Sequence, residues 1–175
     1  MSLATHEERL AELPDGTRLC FASHGDPAHP TVLLIAGLGL QLVYWPEALI
    51  RALTGAGYRV LVFDNRDAGR SSRAEAPAPS TWQQLMRVAP AQAYALEDMA
   101  RDTVGLLDQV GVDRAHVVGR SMGGMIGQAM AAHHAPRVRS LSSVFSTTGH
   151  RRVGQPAPST LWRLGTAPRP ATQDE

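Results

Sequence analysis

The residues with the clearest chemical potential lie in the run Gly119-Arg120-Ser121-Met122-Gly123. This run matches the G-x-S-x-G pattern, in which a serine sits on a sharp turn between a strand and a helix. The apolar pair Val117-Val118 precedes the run, and a segment compatible with a helix follows it. The strand–turn–helix setting that the pattern requires is therefore present, and Ser121 is the candidate nucleophile of an acyl-transfer reaction.

A turn this sharp predicts a strained backbone with positive φ at Ser121 and almost no space for neighbouring side chains. Gly119, Gly123 and Gly124 supply that space. The helix that follows offers N–H groups and a partial positive charge at its first turn. Because acyl transfer needs N–H donors at the developing oxyanion, we expect the N–H of Met122 to be one of them. The alternative is a glycine-rich turn with an idle serine.

The elements that must position this turn follow from the hydrophobic pattern. Segments 7–13 and 17–23 flank Pro14-Asp15-Gly16, which predicts a β-hairpin. Because strands and helices then alternate with short connections, we predict an α/β fold whose sheet is mostly parallel, with helices on both faces. The pattern predicts strands at 31–36, 58–63, 115–118 and 138–144, and helices at 46–56, 94–110 and 122–134.

Composition and charge exclude several classes of partner. The 175 residues carry a formal net charge of +1, and Arg151-Arg152 is the only adjacent basic pair, which indicates neither a nucleic-acid partner nor a membrane partner. The longest apolar run, 32–40, is too short to span a bilayer, and residues 1–8 lack the apolar core of a secretory signal. Cys20 is the only cysteine, so no internal disulfide can form. We expect a soluble, cytoplasmic protein that acts on a small molecule, and the oligomeric state stays open.

Two segments together resemble the α/β-hydrolase superfamily. The run 116–124 resembles its nucleophile elbow, and the run 64–72, which reads Asp-Asn-Arg-Asp-Ala-Gly-Arg-Ser-Ser, resembles the loop after its fourth strand. The resemblance extends from the first hairpin to about Gly149 and is closest to bacterial esterase-like members related to aclacinomycin methylesterases. It implies the α/β-hydrolase fold and hydrolysis of carboxylic esters through an acyl-enzyme, and it implies no metal or cofactor.

The resemblance also implies a second oxyanion donor, the N–H of Leu38 in the loop that follows strand 31–36. Many relatives carry His-Gly where this chain has Ala36-Gly37. Since the donor is a backbone group, the change leaves the oxyanion hole possible, but it removes a buried polar side chain that often braces the loop. Gly37, Trp45 and Arg120 are the candidate pocket residues.

The same loop permits a different interpretation. Gly37-Leu38-Gly39 follows a strand and Asp64 ends the next one, which imitates a dinucleotide-binding fingerprint. Leu42 stands where the third glycine is needed, and the next helix is predicted to begin near Pro46 rather than at the second glycine. No helix N-terminus would then meet a pyrophosphate, so we disfavour this alternative.

Several polar residues have simpler explanations. Asp64, Arg66 and Asp67 lie in a loop, where polar side chains mostly satisfy backbone groups and turns. Arg120, beside the candidate nucleophile, either contacts substrate or faces solvent. His116 lies in a predicted strand and is expected to pack there.

The sequence offers no convincing general base after Ser121. His133 and His134 lie three turns along the following helix, roughly 18 Å from the serine. His150 follows the last predicted strand and is only a remote candidate for the general base. The first acid after Ser121 is Asp174.

The family order of serine, acid and histidine is therefore incomplete. The resemblance implies that the acid and the histidine follow the seventh and eighth strands, beyond a helical cap. We expect residues 1–150 to form the N-terminal half of the hydrolase core, without its C-terminal half and cap, and residues 151–175 to be the truncated start of the cap or a disordered tail. Strand 138–144 would then lack a neighbour on one side. The alternatives are a cofactor-free haloperoxidase-like or amide-cleaving member of the fold, and a non-catalytic half-hydrolase that binds a ligand or a partner.

Overall fold

The computed structural model describes residues 7–74 and 93–149, together with positions 157 and 159. The expectations for His150, for most of the tail and for the end of the loop after Asp64 fall outside these residues. The described strands are β1 (Arg9–Glu12), β2 (Arg18–His24), β3 (Thr31–Ile35), β4 (Arg59–Phe63), β5 (Ala115–Arg120) and β6 (Val138–Val144). The described helices are α1 (Glu47–Gly55), α2 (Leu96–Gln109) and α3 (Met122–His133), with short 3₁₀ turns at Leu42–Tyr44 and Ala135–Arg137.

The strands form one mixed sheet in the order β1-β2-β4-β3-β5-β6. β1 pairs antiparallel with β2, and β2 pairs antiparallel with β4. From β4 onward the pairing is parallel, through β3 and β5 to β6. The predicted hairpin, the mostly parallel sheet and the α/β class are therefore confirmed.

Helices cover both faces of the sheet, as the alternation of strand and helix predicts. Leu33 and Ile35 of β3 belong to a buried cluster that includes residues of α2 and α3. Val32 and Leu34 belong to a second cluster, on the other face, to which α1 contributes Ile50. Because successive side chains of a strand point to opposite faces, the continuous apolar run of β3 fills both layers. Within residues 7–74 and 93–149, no helix combines the length and the apolar character needed to cross a membrane.

β5 is two residues longer than the pattern predicts. Gly119 still pairs with Ile35 of β3, and Arg120 pairs with Val144 of β6. The turn between strand and helix is thus confined to Ser121, because α3 begins at Met122. β6 pairs with β5 alone in the described part of the chain, and most of its residues are exposed. The length of β5 is set by its pairing with β3 and β6. The hydrophobic pattern of the sequence carries no information about that pairing.

The first turn of α3 approaches the sheet so closely that only glycine fits. A Cβ on Gly119 would lie less than 3.0 Å from the backbone of Gly123. A Cβ on Gly123 would in turn lie less than 3.0 Å from the carbonyl of Ile35 at the end of β3. A Cβ on Gly124 would be 2.6 Å from the Cβ of Ser146. Since backbone cannot move aside as a flexible side chain can, the contacts at Gly119 and Gly123 fix α3 against both β3 and β5.

An ion pair with little solvent exposure fastens the loop after β4 to α2. The Nε and Nη2 groups of Arg66 donate to the two carboxylate oxygens of Asp102, each over 2.6 Å. The guanidinium also lies over the ring of Tyr94, 4.9 Å from its centroid. Asp67 accepts hydrogen bonds from the Tyr94 hydroxyl and from the N–H of Ala74. The prediction that Arg66 and Asp67 are structural is therefore confirmed.

Loss of charge at Asp102 should destabilise the protein far more than loss of charge at an exposed pair. In Asp102→Asn, Arg66 keeps its charge with only 15% of its side chain exposed, and we expect the free energy of unfolding to fall by about 3 kcal/mol. The control is Glu47→Gln, because Glu47 and Arg51 are both about half exposed, and its cost should stay below about 1 kcal/mol. Urea denaturation measures both, and equal costs would contradict this account.

Gly123 and Gly55 both lie in helices, and they should respond oppositely to alanine. The Cβ of Gly123→Ala would collide with the Ile35 carbonyl, whereas a Cβ on Gly55 meets nothing within 4 Å. We expect Gly123→Ala to lower the free energy of unfolding by about 3 kcal/mol and Gly55→Ala to leave it unchanged or raise it by up to about 1 kcal/mol. Urea titration of the two variants gives the comparison. A tolerated Gly123→Ala would show that the helix can move away from the sheet.

Candidate active site

Ser121 occupies the turn between β5 and α3 in a backbone conformation that non-glycine residues rarely adopt. Its φ is 55° and its ψ is −121°, and the residue is exposed. The positive φ predicted from the sequence is confirmed. A conformation of this kind costs on the order of 1–3 kcal/mol and persists only where the surroundings enforce it.

Four hydrogen bonds, one of them from the N–H of Met125 to the Ser121 carbonyl over 3.3 Å, hold the backbone of Ser121 in this conformation. Its N–H donates to the carbonyl of Val144 at the end of β6, over 2.9 Å. Its carbonyl accepts from the N–H of Gly124 over 2.9 Å and from the Oγ of Ser146 over 2.8 Å. Ser146 is a site residue that sequence reasoning misses, because a single serine after a strand carries no local signal. The end of β6 therefore supports the turn from outside the motif.

The loop that follows β3 lies against the same turn. A Cβ on Gly37 would be 3.3 Å from the Cβ of Ser121 and 3.3 Å from the carbonyl of Arg120. Leu38, next in the loop, is 80% exposed. Within residues 7–74 and 93–149, neither the N–H of Leu38 nor that of Met122 donates a hydrogen bond. Two uncommitted N–H groups thus belong to the residues that directly follow Gly37 and Ser121 in the chain.

Two buried polar side chains from the loop after β4 form hydrogen bonds with this loop. Asp64, 2% exposed, accepts from the N–H of Leu42 over 2.6 Å and from the N–H of Arg70 over 3.0 Å. Asn65, 3% exposed, donates from Nδ2 to the carbonyl of Ala36 over 3.1 Å. Asn65 therefore provides a buried polar contact to the loop in a chain that has Ala36 rather than histidine. Sequence reasoning did not single out Asn65, although its place directly after a buried strand is a usable signal.

Burial and hydrogen bonding have opposite effects on the pKa of Asp64. Burial raises the pKa of its carboxyl group above the ordinary value, while the hydrogen bonds from the N–H groups of Arg70 and Leu42 act to lower it. Each carboxylate oxygen accepts one backbone N–H, so Asp64 ties the loop after β3 to the loop after β4. The structural role predicted for Asp64 is confirmed.

An apolar cavity of about 210 Å³ adjoins the turn. Trp45 and Arg120, two of the candidate pocket residues, contribute to its wall. Gly37, the third, is not part of this wall and lies in the loop against Ser121. The side chains around the cavity are mainly apolar, as is usual for small-molecule sites. The wall consists of Ala36, Leu40, Tyr44, Trp45, Pro46, Leu49 and Arg120.

His116 on β5 and the two histidines at the end of α3 lie several residues along their elements from Ser121. His116 shares a hydrogen bond of 2.8 Å with the Oγ of Ser140 and packs edge-on against Tyr58, in accordance with the expected packing role. His133 ends α3 and His134 follows it. Within residues 7–74 and 93–149, no group of three or more histidine, cysteine, aspartate or glutamate side chains is arranged to hold a metal ion.

The dinucleotide-binding alternative fails on geometry. After β3 the chain forms a loop and the 3₁₀ turn Leu42–Tyr44, and α1 begins only at Glu47. Gly39 is exposed with a φ of 68°, and no helix starts there. A pyrophosphate at this loop would therefore lack the helix N-terminus that such sites use.

Comparison with known proteins agrees with this architecture. The chain is 36% identical over 118 residues to the rhodomycin D methylesterase DnrP of Streptomyces peucetius. The aligned segment covers 67% of this chain and 35% of DnrP. Over 125 residues the chain is 36% identical to the putative carbamate hydrolase RutD of Caulobacter segnis, covering 70% of this chain and 41% of RutD. The crystal structure of a hydrolase from Pseudomonas aeruginosa superposes with a TM-score of 0.69 at 28% identity, over 93% of this chain and 52% of that one.

The chain thus spans between about a third and about half of the length of these proteins. The family model of the alpha/beta hydrolase fold matches residues 30–173, which is most of the chain. This match includes every parallel strand, the loop beside Ser121 and the turn itself. On the combined grounds of sheet order, strand–turn–helix geometry and this match, the chain belongs to the α/β-hydrolase fold family.

Proposed function

We propose that this protein is a serine hydrolase that cleaves carboxylic esters, with Ser121 as its nucleophile. One observation carries the proposal: an exposed serine is held at positive φ between the end of a parallel strand and the start of a helix. Strain of this kind concentrates at functional sites. Membership of the α/β-hydrolase fold family supports hydrolytic chemistry. The likeness to a protein named as a methylesterase supports an ester as the substrate.

The proposed reaction has two steps. The Ser121 oxygen attacks the ester carbonyl carbon and gives its proton to a general base, and the alcohol leaves with a proton when the tetrahedral intermediate collapses to an acyl-enzyme. Water then attacks the acyl-enzyme, which releases the acid and restores the serine. The N–H groups of Met122 and Leu38 are proposed to bind the oxyanion in both steps. Their lack of other acceptors in the described residues supports this role.

The base and the carboxylate that orients it are proposed to come from outside residues 7–149. Between Ser121 and Gly149 the sequence has no acid, and its histidines there are those at the end of α3. A base has to come within hydrogen-bond reach of the serine oxygen, which the far end of a helix starting at Met122 cannot do. The larger size of the relatives supports this division of the site.

A second candidate function is the cleavage of an amide-type bond by the same serine. The likeness to RutD, named as a putative carbamate hydrolase, favours it. Both reactions pass through a tetrahedral oxyanion, so the geometry around Ser121 suits either, and the leaving group distinguishes them.

A fluorophosphonate probe tests whether Ser121 is a nucleophile. We expect the protein, as its gene encodes it, to form one covalent adduct that peptide mass spectrometry places on Ser121, because only an activated serine attacks the probe. Ser121→Ala should abolish the adduct. Ser142→Ala, which removes an exposed serine on β6, should leave it unchanged. Absence of labelling, or labelling that survives Ser121→Ala, would favour the non-catalytic alternative.

Matched chromogenic substrates distinguish the two candidate reactions. For a p-nitrophenyl ester and a p-nitroanilide of the same short acid, we expect kcat/KM to be higher for the ester. Ser121→Ala should lower kcat for the preferred substrate by about 10⁴-fold or more, as nucleophile removal does in other serine hydrolases. A higher kcat/KM for the anilide would transfer the assignment to the amide-cleaving candidate.

A further inference from the structure

The cavity beside Ser121 has an unusual distribution of polar groups. Its wall is mainly apolar, and the polar side chains in it are those of Tyr44, Trp45 and Arg120. All three can donate a hydrogen bond, only the Tyr44 hydroxyl can also accept one, and no carboxylate belongs to the described wall. A ligand that fits this wall has an apolar body and at least one accepting group.

Among the described residues, no acidic side chain pairs with Arg120. Its side chain is exposed and forms no ion pair or hydrogen bond with any residue in 7–74 or 93–149. By contrast, Arg51, Arg66 and Arg70 each contact a carboxylate. A guanidinium is always charged and matches the geometry of a carboxylate, with which it can form two parallel hydrogen bonds.

Trp45 contributes an apolar part of the same wall. Its Nε1 is buried and has no hydrogen-bond partner within the described residues. Because an atom shielded from solvent is also shielded from a ligand in the cavity, this N–H is not counted among the groups that recognise a ligand. The partially buried indole and the guanidinium lie on one cavity of about 210 Å³. A cavity of about 150 Å³ already holds benzene, so a group of about six carbons fits here.

From these observations we infer that the cavity selects substrates whose apolar part of about six carbons carries a carboxylate, which pairs with Arg120. This inference rests on the proposed function, because the cavity becomes a substrate pocket only if Ser121 is the nucleophile. The preferred esters are then acidic ones, such as half-esters of short dicarboxylic acids. The wall would exclude cationic substrates, since Arg120 would repel them.

The binding of hexanoate and of hexanamide tests the inference without turnover. The two molecules have the same chain, and only hexanoate is charged. Isothermal titration calorimetry of the protein, as its gene encodes it, should give about tenfold tighter binding of hexanoate at low ionic strength. The difference should shrink as salt is added, because the pair is partly exposed to solvent.

Variants identify the groups responsible. In Arg120→Gln the preference for hexanoate should vanish, and in Arg120→Lys part of it should return, since lysine keeps the charge but not the planar fork. Arg114→Gln is the matched control, because Arg114 is exposed at the opposite end of β5, about 20 Å away at strand spacing. It should leave the preference unchanged.

The outcomes separate this inference from the proposed function. Equal binding of the two ligands by a protein that labels at Ser121 overturns the inference and leaves the function standing. A preference that persists in Arg120→Gln, or disappears equally in Arg114→Gln, also overturns it. A preference that depends on Arg120 in a protein that does not label at Ser121 supports an anion-binding cavity and overturns the serine hydrolase.

Discussion

The structure depends on one steric constraint, the contact between the first turn of α3 and the ends of β3 and β5. Gly119 and Gly123 leave no space for a Cβ, so the helix axis comes as near to the sheet as backbone allows. With strand and helix this close, one residue has to reverse the chain, and Ser121 does so at positive φ. The strain is offset by packing and by hydrogen bonds, since Val144 at the end of β6 accepts from Ser121 and Ser146, just after β6, donates to it.

Buried polar side chains hold the loops around the turn through hydrogen bonds to neighbouring segments. Asp64 and Asn65 fix the loop beside Ser121, and Arg66 fixes the following segment to α2 through Asp102. Since a buried polar group without a partner is costly, these residues are best understood as supports of the site. The indole Nε1 of Trp45 departs from that rule, and Trp45 lines the cavity beside the serine together with the exposed Arg120.

Most of the fold is predictable because its signals are local. The apolar runs of β3 and β4, the turn at Pro14-Asp15-Gly16 and the periodicity of α2 all lie within short windows of sequence. The elbow is predictable for the same reason, since glycine is required on either side of one strained residue. The two added residues of β5 were missed, because they depend on pairing with β3 and β6.

The sequence by itself determined the α/β class, the helices on both faces and the positive φ of Ser121, since each follows from side-chain size and spacing along the chain. Only the tertiary structure decided that Ser146 and Asn65 support the site and that Arg120 shares a cavity wall with Trp45. Those contacts join residues 25 or more positions apart, such as Ser121 and Ser146. Their geometry is set by sheet order and by the close approach of helix to sheet, which no short stretch of sequence encodes.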